Sequence, residues 1–306
     1  MTRTSAGTRF ATDRGLVGRM LATMFLLGLL YVVFVGTLVV VLGRAWPIAV
    51  VLIGGVFVAQ FWFSDKLAAF AMGAREVTPE QQPELHGAVD RLCALADMPK
   101  PRVAVADSDV PNAFATGRNR KNTVVCTTTG LLRRLEPAEL EGVLAHELSH
   151  VAHKDVAVMT IASFLGVLAG LLTRVGVQFG LFGGMRRDQN TAVLMLVVTA
   201  VSVAVYALSF VLIRTLSRYR ELCADRSAAL LTGRPSVLAS ALTKISGTMA
   251  RIPTRDLRRA EPFNAFFFAP AIASKDSLAN LFATHPTLER RLEQLARISA
   301  ELGGAA

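Results

Sequence analysis

Long apolar runs alternate with two polar regions along this chain. A helix needs about 20 apolar residues to cross the hydrocarbon core of a bilayer, and four runs without charged side chains approach or exceed that length. They lie at residues 20–42, 45–63, 156–172 and 191–213. The pattern therefore predicts four transmembrane helices, and the first two, separated by Gly43 and Arg44 alone, are expected to form a tight hairpin.

The first polar region carries short-range patterns of a folded domain. Apolar residues recur at helical spacing after Thr78-Pro79, where the proline predicts the first turn of a helix. Residues 102–106 alternate in polarity and residues 122–129 are rich in β-branched side chains, which predicts two strands. A further helix is predicted from about Pro137. The chain is therefore expected to be a mainly α membrane protein with an α+β part that contains a small β-sheet.

Composition agrees with a membrane protein, because 52% of the residues are hydrophobic and 18% are charged, against about 25% charged in soluble domains. The apolar runs divide the chain into two hairpins and two polar segments. The expected boundaries are 1–64 for the amino-terminal arm and first hairpin, 65–155 for the first polar segment, 156–213 for the second hairpin and 214–306 for the second polar segment.

Membrane topology explains much of the basic excess of the chain. There are 33 Lys and Arg residues against 23 Asp and Glu residues, a formal net charge of +10. Cationic residues that flank a span tend to stay in the cytoplasm, and four of them precede the first apolar run, namely Arg3, Arg9, Arg14 and Arg19. The amino terminus and both polar segments are therefore expected on the cytoplasmic side of the cell inner membrane, in a multi-pass protein. No nucleic-acid recognition motif accompanies the charge, so no nucleic-acid partner is expected.

The motif that carries chemistry runs from His146 through Glu147 to His150, in a segment of high helix propensity. Residues four apart lie on one face of a helix, so the two imidazoles can bind one zinc ion. Glu147 lies beside the open coordination position, where it can take a proton from water and deliver it to a leaving amine. This spacing predicts metal-assisted hydrolysis with Glu147 as the general base.

A catalytic zinc site needs a third protein ligand. Glu221 and Asp225 lie four residues apart in a helical context after the fourth apolar run. Glu221 is the natural third ligand, and Asp225 is placed to accept the N–H of a ligand histidine and thereby fix its tautomer. Such pairs are common on solvated helices, so the prediction depends on the histidine motif and on the position of the pair at a membrane boundary.

At these residues the chain resembles the HtpX-type membrane metalloproteases of peptidase family M48, which are related to the Ste24-type CAAX proteases. The resemblance covers most of the chain, including residues 112–118, 128–132, 140–151, 221–225 and 284–291. It implies a gluzincin-like metalloprotease domain in the cytoplasm, with one zinc ion per subunit. It also implies an endopeptidase that acts on membrane proteins, commonly misfolded ones, in quality control and stress response.

The resemblance assigns roles to the residues of the metal motif. The implied zinc ligands are His146, His150 and Glu221. Glu147 is the implied general base, and Asp225 is the carboxylate that supports a ligand histidine.

Two further elements follow from the resemblance. Asn112, Ala113, Phe114 and Ala115 correspond to an edge strand that holds an extended substrate by main-chain hydrogen bonds, although the residues alone suggest a plain turn-to-strand transition. His285 corresponds to a group that helps to stabilise the oxyanion of the tetrahedral intermediate, whereas a histidine before a proline is often only a helix-entry residue.

Two alternative functions are open at this point. A CAAX-type processing protease would share the metal motif, but four predicted spans are fewer than the helical cage of Ste24-type enzymes. A non-catalytic zinc-binding membrane scaffold or sensor would have no physical need for Glu147 beside the metal.

Four phenylalanines between residues 263 and 268 form an apolar cluster that follows several arginines. Core filling is the simpler interpretation of this cluster. The alternative is a loop that faces substrate or membrane, because an apolar patch flanked by cations suits an anionic inner leaflet.

Overall fold

The computed structural model describes most of the chain. The described residues are 14–42, 46–63, 66, 70, 72–120, 122–154, 158, 159, 161–164, 166, 168–170, 173, 174, 189–249, 251 and 285–304. The phenylalanine cluster predicted at residues 263–268 lies outside them. The chain divides into two compact units, of which the first comprises Met1–Leu16, Phe63–Ala157 and Ser217–Ala306 and the second comprises Val17–Trp62 and Val158–Leu216.

Within the part of the chain that the structure describes, the fold is mostly helical with one small sheet, as the sequence predicted. The helices are α1 (Arg14–Leu42), α2 (Trp46–Trp62), α3 (Pro83–Ala96), α4 (Thr129–Leu132), α5 (Pro137–Ala152), α6 (Gln189–Thr232), α7 (Pro235–Met249) and α8 (Leu288–Gly304). The strands are β1 (Ala74–Glu76), β2 (Arg102–Ala106), β3 (Ala113–Asn119) and β4 (Asn122–Thr128). The two strands predicted from alternation and β-branching are confirmed as β2 and β4.

The sheet has mixed topology, with strand order β1-β2-β4-β3. β2 and β4 are parallel, and the other two neighbouring pairs are antiparallel. Side chains alternate between the two faces because a strand has a period of two, so Val103 and Val125 face the helical core while Ala104 and Cys126 face the other side. β3 lies at one edge of the sheet, as the resemblance implied.

The starts of α5 and α3 show how proline position decides a helix boundary. α5 begins at the predicted Pro137, and a reciprocal pair of hydrogen bonds between Glu136 and Glu139 caps its first turn. α3 begins at Pro83 rather than at the predicted Pro79. A residue before proline is restricted from the helical region, and Gln82 accordingly lies outside it with φ −139° and ψ 67°, so a helix from Pro79 could not pass through it.

The core of the first unit lies between the sheet and the helices of that unit. α5 packs against α3, α7 and β3, and α8 packs on α7. The buried core residues are almost all aliphatic, including Leu92, Val143, Leu144 and Leu242. This packing fixes α5, which carries the histidine motif, next to the edge strand.

Within the described residues, two helices are long and apolar enough to cross a membrane, by length and composition alone: Arg14–Val40 of α1 and Leu196–Thr232 of α6. α2 has 17 residues and spans about 25 Å, slightly less than the hydrocarbon core. Ile161–Gly170, in the predicted third span, is a shorter apolar helix. Two of the four predicted spans therefore coincide with candidate membrane helices, and the count of four crossings stays a prediction.

Candidate metal centre

α5 positions the first two predicted ligands. His146 and His150 lie one helical turn apart, and their Nε2 atoms are 3.2 Å from each other. Both side chains are buried. The spacing of four residues thus directs both Nε2 atoms to the same point, as the sequence predicted.

α6 supplies the third predicted ligand. Glu221 Oε2 lies 3.5 Å from His146 Nε2, and Glu221 Oε1 lies 3.5 Å from His150 Nε2. One ligand atom from each of the three buried residues lies within 4.8 Å of the others, so the group could hold a metal ion. Two imidazoles and one carboxylate are the donor set of a catalytic zinc site, which keeps its fourth position open.

Asp225 contacts His146, the first predicted ligand. Its Oδ1 atom accepts a hydrogen bond from Nδ1 of His146 over 2.9 Å, which directs the Nε2 atom towards Glu221. Burial alone would lower the pKa of His146, but the contacts with Asp225 and Glu221 outweigh burial and raise this pKa to about 9. Such an imidazole is a strong base, so protons and a metal ion compete for it.

Glu147 lies beside this cluster and touches the edge strand. Its Oε2 atom accepts a hydrogen bond from the main-chain N–H of Ala115 over 3.0 Å. Burial raises the pKa of Glu147, and the neighbouring His146 and His150 counteract this only in part. A carboxylate whose pKa is raised is a stronger base, so it is better suited to accept a proton from water.

Three of the four predicted substrate-strand residues lie in β3, where they divide between the two faces of the sheet. Ala113 and Ala115 pack in the helical core, whereas Phe114 packs on the opposite face. Asn112 is buried, and its main-chain N–H donates to Thr128 Oγ1 over 2.9 Å. Ala115 is thus the member of this group that the structure brings to Glu147.

His285 lies just before α8 and is buried against the third predicted ligand. Its Nδ1 atom is 3.1 Å from Glu221 Oε2. The structure therefore brings His285 into the same cluster as His146, His150 and Glu221. A residue near the carboxyl end of the sequence thereby reaches a site formed mainly by α5 and α6.

Two arginines at this site have no role in the sequence-based prediction. Arg291 donates to Asp225 through Nε and Nη2, each over 2.7 Å, and Arg220 Nη2 lies 3.4 Å from His150 Nδ1. A signal for Arg291 exists in the sequence, because it shares one face of α8 with Leu295 and Ile298. A cation on the apolar face of an amphipathic helix indicates a buried partner.

The amino-acid sequence of the chain is similar to those of known proteins. Residues 79–299 match the profile of peptidase family M48. The chain is 66% identical over 298 residues to Protease HtpX homolog 1 of Streptomyces coelicolor, and the match covers 97% of each chain. It is 51% identical over 295 residues to the Protease HtpX homolog of Moorella thermoacetica, with coverage of 96% of this chain and 98% of that one.

Among solved structures, the chain is similar to the crystal structure of Ste24p from S. mikatae. The TM-score is 0.54 at 18% sequence identity, and the match covers 92% of this chain and 67% of that chain. At this level of identity the likeness concerns the fold alone.

Proposed function

The chain belongs to peptidase family M48, and from this premise we propose that it hydrolyses peptide bonds of membrane proteins, chiefly misfolded ones, with one zinc ion bound by His146, His150 and Glu221. Family membership makes it a metalloprotease that acts on protein substrates. The identity of the metal, the ligand set and the class of substrate are our proposal. It is carried by the buried cluster of three ligand residues whose ligand atoms lie within 4.8 Å of one another.

Glu147 is the proton carrier in this mechanism. When bound, zinc supplies Lewis acidity, which polarises the scissile carbonyl and lowers the pKa of water towards about 7. Glu147 takes the proton of the attacking water and delivers it to the leaving amine, so the C–N bond breaks after the C–O bond forms. The N–H of Ala115 holds the Glu147 carboxylate in the orientation that this transfer requires.

His285 is assigned to the stabilisation of the oxyanion that forms on the scissile carbonyl. The contact of its Nδ1 atom with Glu221 orients the imidazole ring inside the cluster. A donor fixed in advance at the position where charge develops lowers the barrier of acyl transfer. In this mechanism His285 donates a hydrogen bond to the oxyanion through its Nε2 atom.

β3 is the element that we assign to substrate binding. Asn112 O accepts a hydrogen bond from the N–H of Thr128 at the end of β4, whereas the N–H of Ala115 is directed to Glu147. Main-chain groups alternate in direction along a strand, so those of Ala113 and Ala115 both point away from β4. An extended peptide can pair with this edge through main-chain groups other than the N–H of Ala115, which binds Glu147, and such pairing selects locally unfolded substrates without a strict sequence rule.

The proposed location is the cell inner membrane, with four crossings and the metal site in the cytoplasm. The apolar helices α1 and α6 support a membrane location, and the arginines before the first span support the orientation. Single cysteines introduced by Arg44→Cys and Asp107→Cys can be labelled in intact cells with an impermeant maleimide. We expect labelling at position 44 alone. Labelling at position 107 alone would show the opposite orientation and contradict the proposed topology.

Metal removal and restoration test the proposed chemistry directly. The purified chain in detergent is incubated with one membrane protein in folded and in unfolded form. We expect cleavage of the unfolded form, loss of cleavage after chelation, and recovery with one equivalent of zinc but not with magnesium. Undiminished cleavage by zinc-depleted protein would contradict the proposal, and so would a lack of cleavage by protein loaded with one zinc per chain.

A further inference from the structure

We propose that Arg291 is a positioning residue, which fixes the geometry of the metal centre through Asp225 and His146. This inference rests on the proposed function in one respect, because it takes His146 to be a metal ligand. It adds a residue of α8 to a site whose ligands come from α5 and α6.

The contacts form a continuous chain of buried hydrogen bonds. Arg291 Nε donates to Asp225 Oδ2 and Arg291 Nη2 donates to Asp225 Oδ1, each over 2.7 Å. The same Oδ1 atom accepts the hydrogen bond from His146 Nδ1 over 2.9 Å. Asp225 is 0% exposed and Arg291 is 2% exposed, so the protein itself provides the hydrogen bonds that water would otherwise make.

The two-point contact restricts the orientation of the carboxylate. A guanidinium that binds both carboxylate oxygens holds the carboxylate in its own plane, which a single hydrogen bond cannot do. Because Asp225 Oδ1 is fixed, the ring of His146 is held with its Nε2 atom 3.2 Å from His150 Nε2 and 3.5 Å from Glu221 Oε2. A lysine at position 291 would keep the positive charge and lose the planar fork.

A purely structural role for Arg291 is the competing explanation, since α8 also contacts α6 elsewhere. Gln294, one turn further along α8, donates from Nε2 to the carbonyl oxygen of Leu222 over 2.6 Å. This second contact supplies a matched control, because Gln294→Ala weakens the attachment of α8 and leaves Asp225 untouched. Arg290 is exposed beside Arg291 and supplies a second control, Arg290→Gln.

The experiment measures metal binding by the full-length chain in detergent, independently of proteolysis. Zinc affinity is obtained by competition with a chelator, and the visible absorption spectrum of the cobalt-substituted protein reports the ligand geometry. Loss of a partner that supports a ligand histidine typically weakens metal binding by about 10–100-fold. We expect that loss and a changed cobalt spectrum for Arg291→Lys and Arg291→Gln, with wild-type values for Arg290→Gln and Gln294→Ala.

A double-mutant comparison tests whether Arg291 acts through Asp225. If it does, Asp225→Asn combined with Arg291→Gln should bind zinc no more weakly than Asp225→Asn alone. Additive losses would overturn the proposal, as would wild-type affinity and spectrum in Arg291→Lys, or an equal loss in Gln294→Ala. Failure of both Arg291 variants to fold while Gln294→Ala folds would also overturn it, because Arg291 would then support the fold rather than the ligand. A wild-type chain that binds no zinc would instead refute the proposed function.

Discussion

Glu139 and Glu147 lie about two turns apart on α5, and both are almost fully buried, with exposed fractions of 6% and 5%. Burial would raise the pKa of Glu139, but hydrogen bonds from Lys244 Nζ (2.8 Å) and Ser240 Oγ (2.7 Å) hold that pKa below its ordinary value. Glu147 faces two imidazoles and one main-chain N–H, and burial raises its pKa. Two glutamates of one helix thus have pKa values shifted in opposite directions.

The difference shows that the surroundings decide the role of a buried carboxylate. Glu139 is paired with a cation and completes the cap of α5, so it stabilises the fold in its ionised form. Glu147 lies beside the candidate metal ligands and is suited to exchange a proton. The opposite shifts therefore separate a carboxylate that a cation holds ionised from the one that we propose as the general base. Replacement of each by glutamine gives a matched pair of variants.

The largest expected effect is on catalysis by Glu147→Gln. Loss of a general base typically lowers the rate by about 10²–10⁴-fold, because the amide cannot accept the proton of the attacking water. Turnover of the same unfolded membrane protein by zinc-loaded variants measures the effect. Glu139→Gln should cleave at nearly the wild-type rate. Equal inactivity of the two folded variants would contradict the different roles assigned to Glu139 and Glu147.

The next effect concerns stabilisation by zinc, which among the residues of α5 should depend on the histidines of its carboxyl-terminal half and not on Glu139. A ligand that binds only the folded state stabilises it by about 2.7 kcal/mol at one hundred times its dissociation constant. Thermal unfolding of zinc-depleted protein, with and without added zinc, should show this gain in the wild type and in Glu139→Gln. His150→Ala should show no comparable gain, and a full gain in that variant would argue against His150 as a ligand.

A smaller effect is expected on the stability of the fold itself. Glu139→Gln removes the charge of the group that accepts the hydrogen bond from Lys244 Nζ, so the free energy of unfolding should fall by about 1–2 kcal/mol. Glu147→Gln should cause no such loss, because it removes a charge from a buried site. Thermal unfolding of zinc-depleted variants in one detergent ranks the two, and the reverse order would contradict the assigned roles.

The smallest effect is the pH dependence of the Glu139 contribution. Because the pKa of Glu139 is lower in the folded state than in the unfolded chain, its stabilisation is present above the unfolded value of about 4.3 and disappears as pH falls through the folded value. The difference in melting temperature between wild type and Glu139→Gln should therefore hold from neutral pH to about pH 5 and close below about pH 4. A difference that widens on acidification would mean that the pKa of Glu139 is raised.

Local patterns in the sequence predicted the parts of the site that depend on local geometry. The spacing of His146 and His150 requires only a helix, and the capped start at Pro137 provides it. The pair of Glu221 and Asp225 is local in the same sense. The two pairs form one site only if α5 and α6 come together. The sequence indicated this only through the need of a catalytic zinc for a third protein ligand.

The remaining features depend on tertiary packing that no local pattern specifies. The contact of Ala115 with Glu147 follows from the position of β3 at the sheet edge, and the sheet itself depends on a parallel pairing of β2 with β4. Arg291 and Asp225 lie 66 residues apart in the sequence. Arg290 and Arg291 are adjacent, and no local pattern specifies which of them contacts Asp225. The predicted start of α3 was wrong for a local reason, since Pro79 and Pro83 are both suitable first residues of a helix.

The location of the metal tests the central claim most directly. Crystals of the Glu147→Gln variant, grown with zinc and measured on both sides of the zinc absorption edge, would show the ion by its anomalous signal. We expect one strong peak at about 2.0–2.2 Å from His146 Nε2, His150 Nε2 and a carboxylate oxygen of Glu221. A stoichiometric peak elsewhere, or no peak among these three residues in zinc-saturated crystals, would contradict the account.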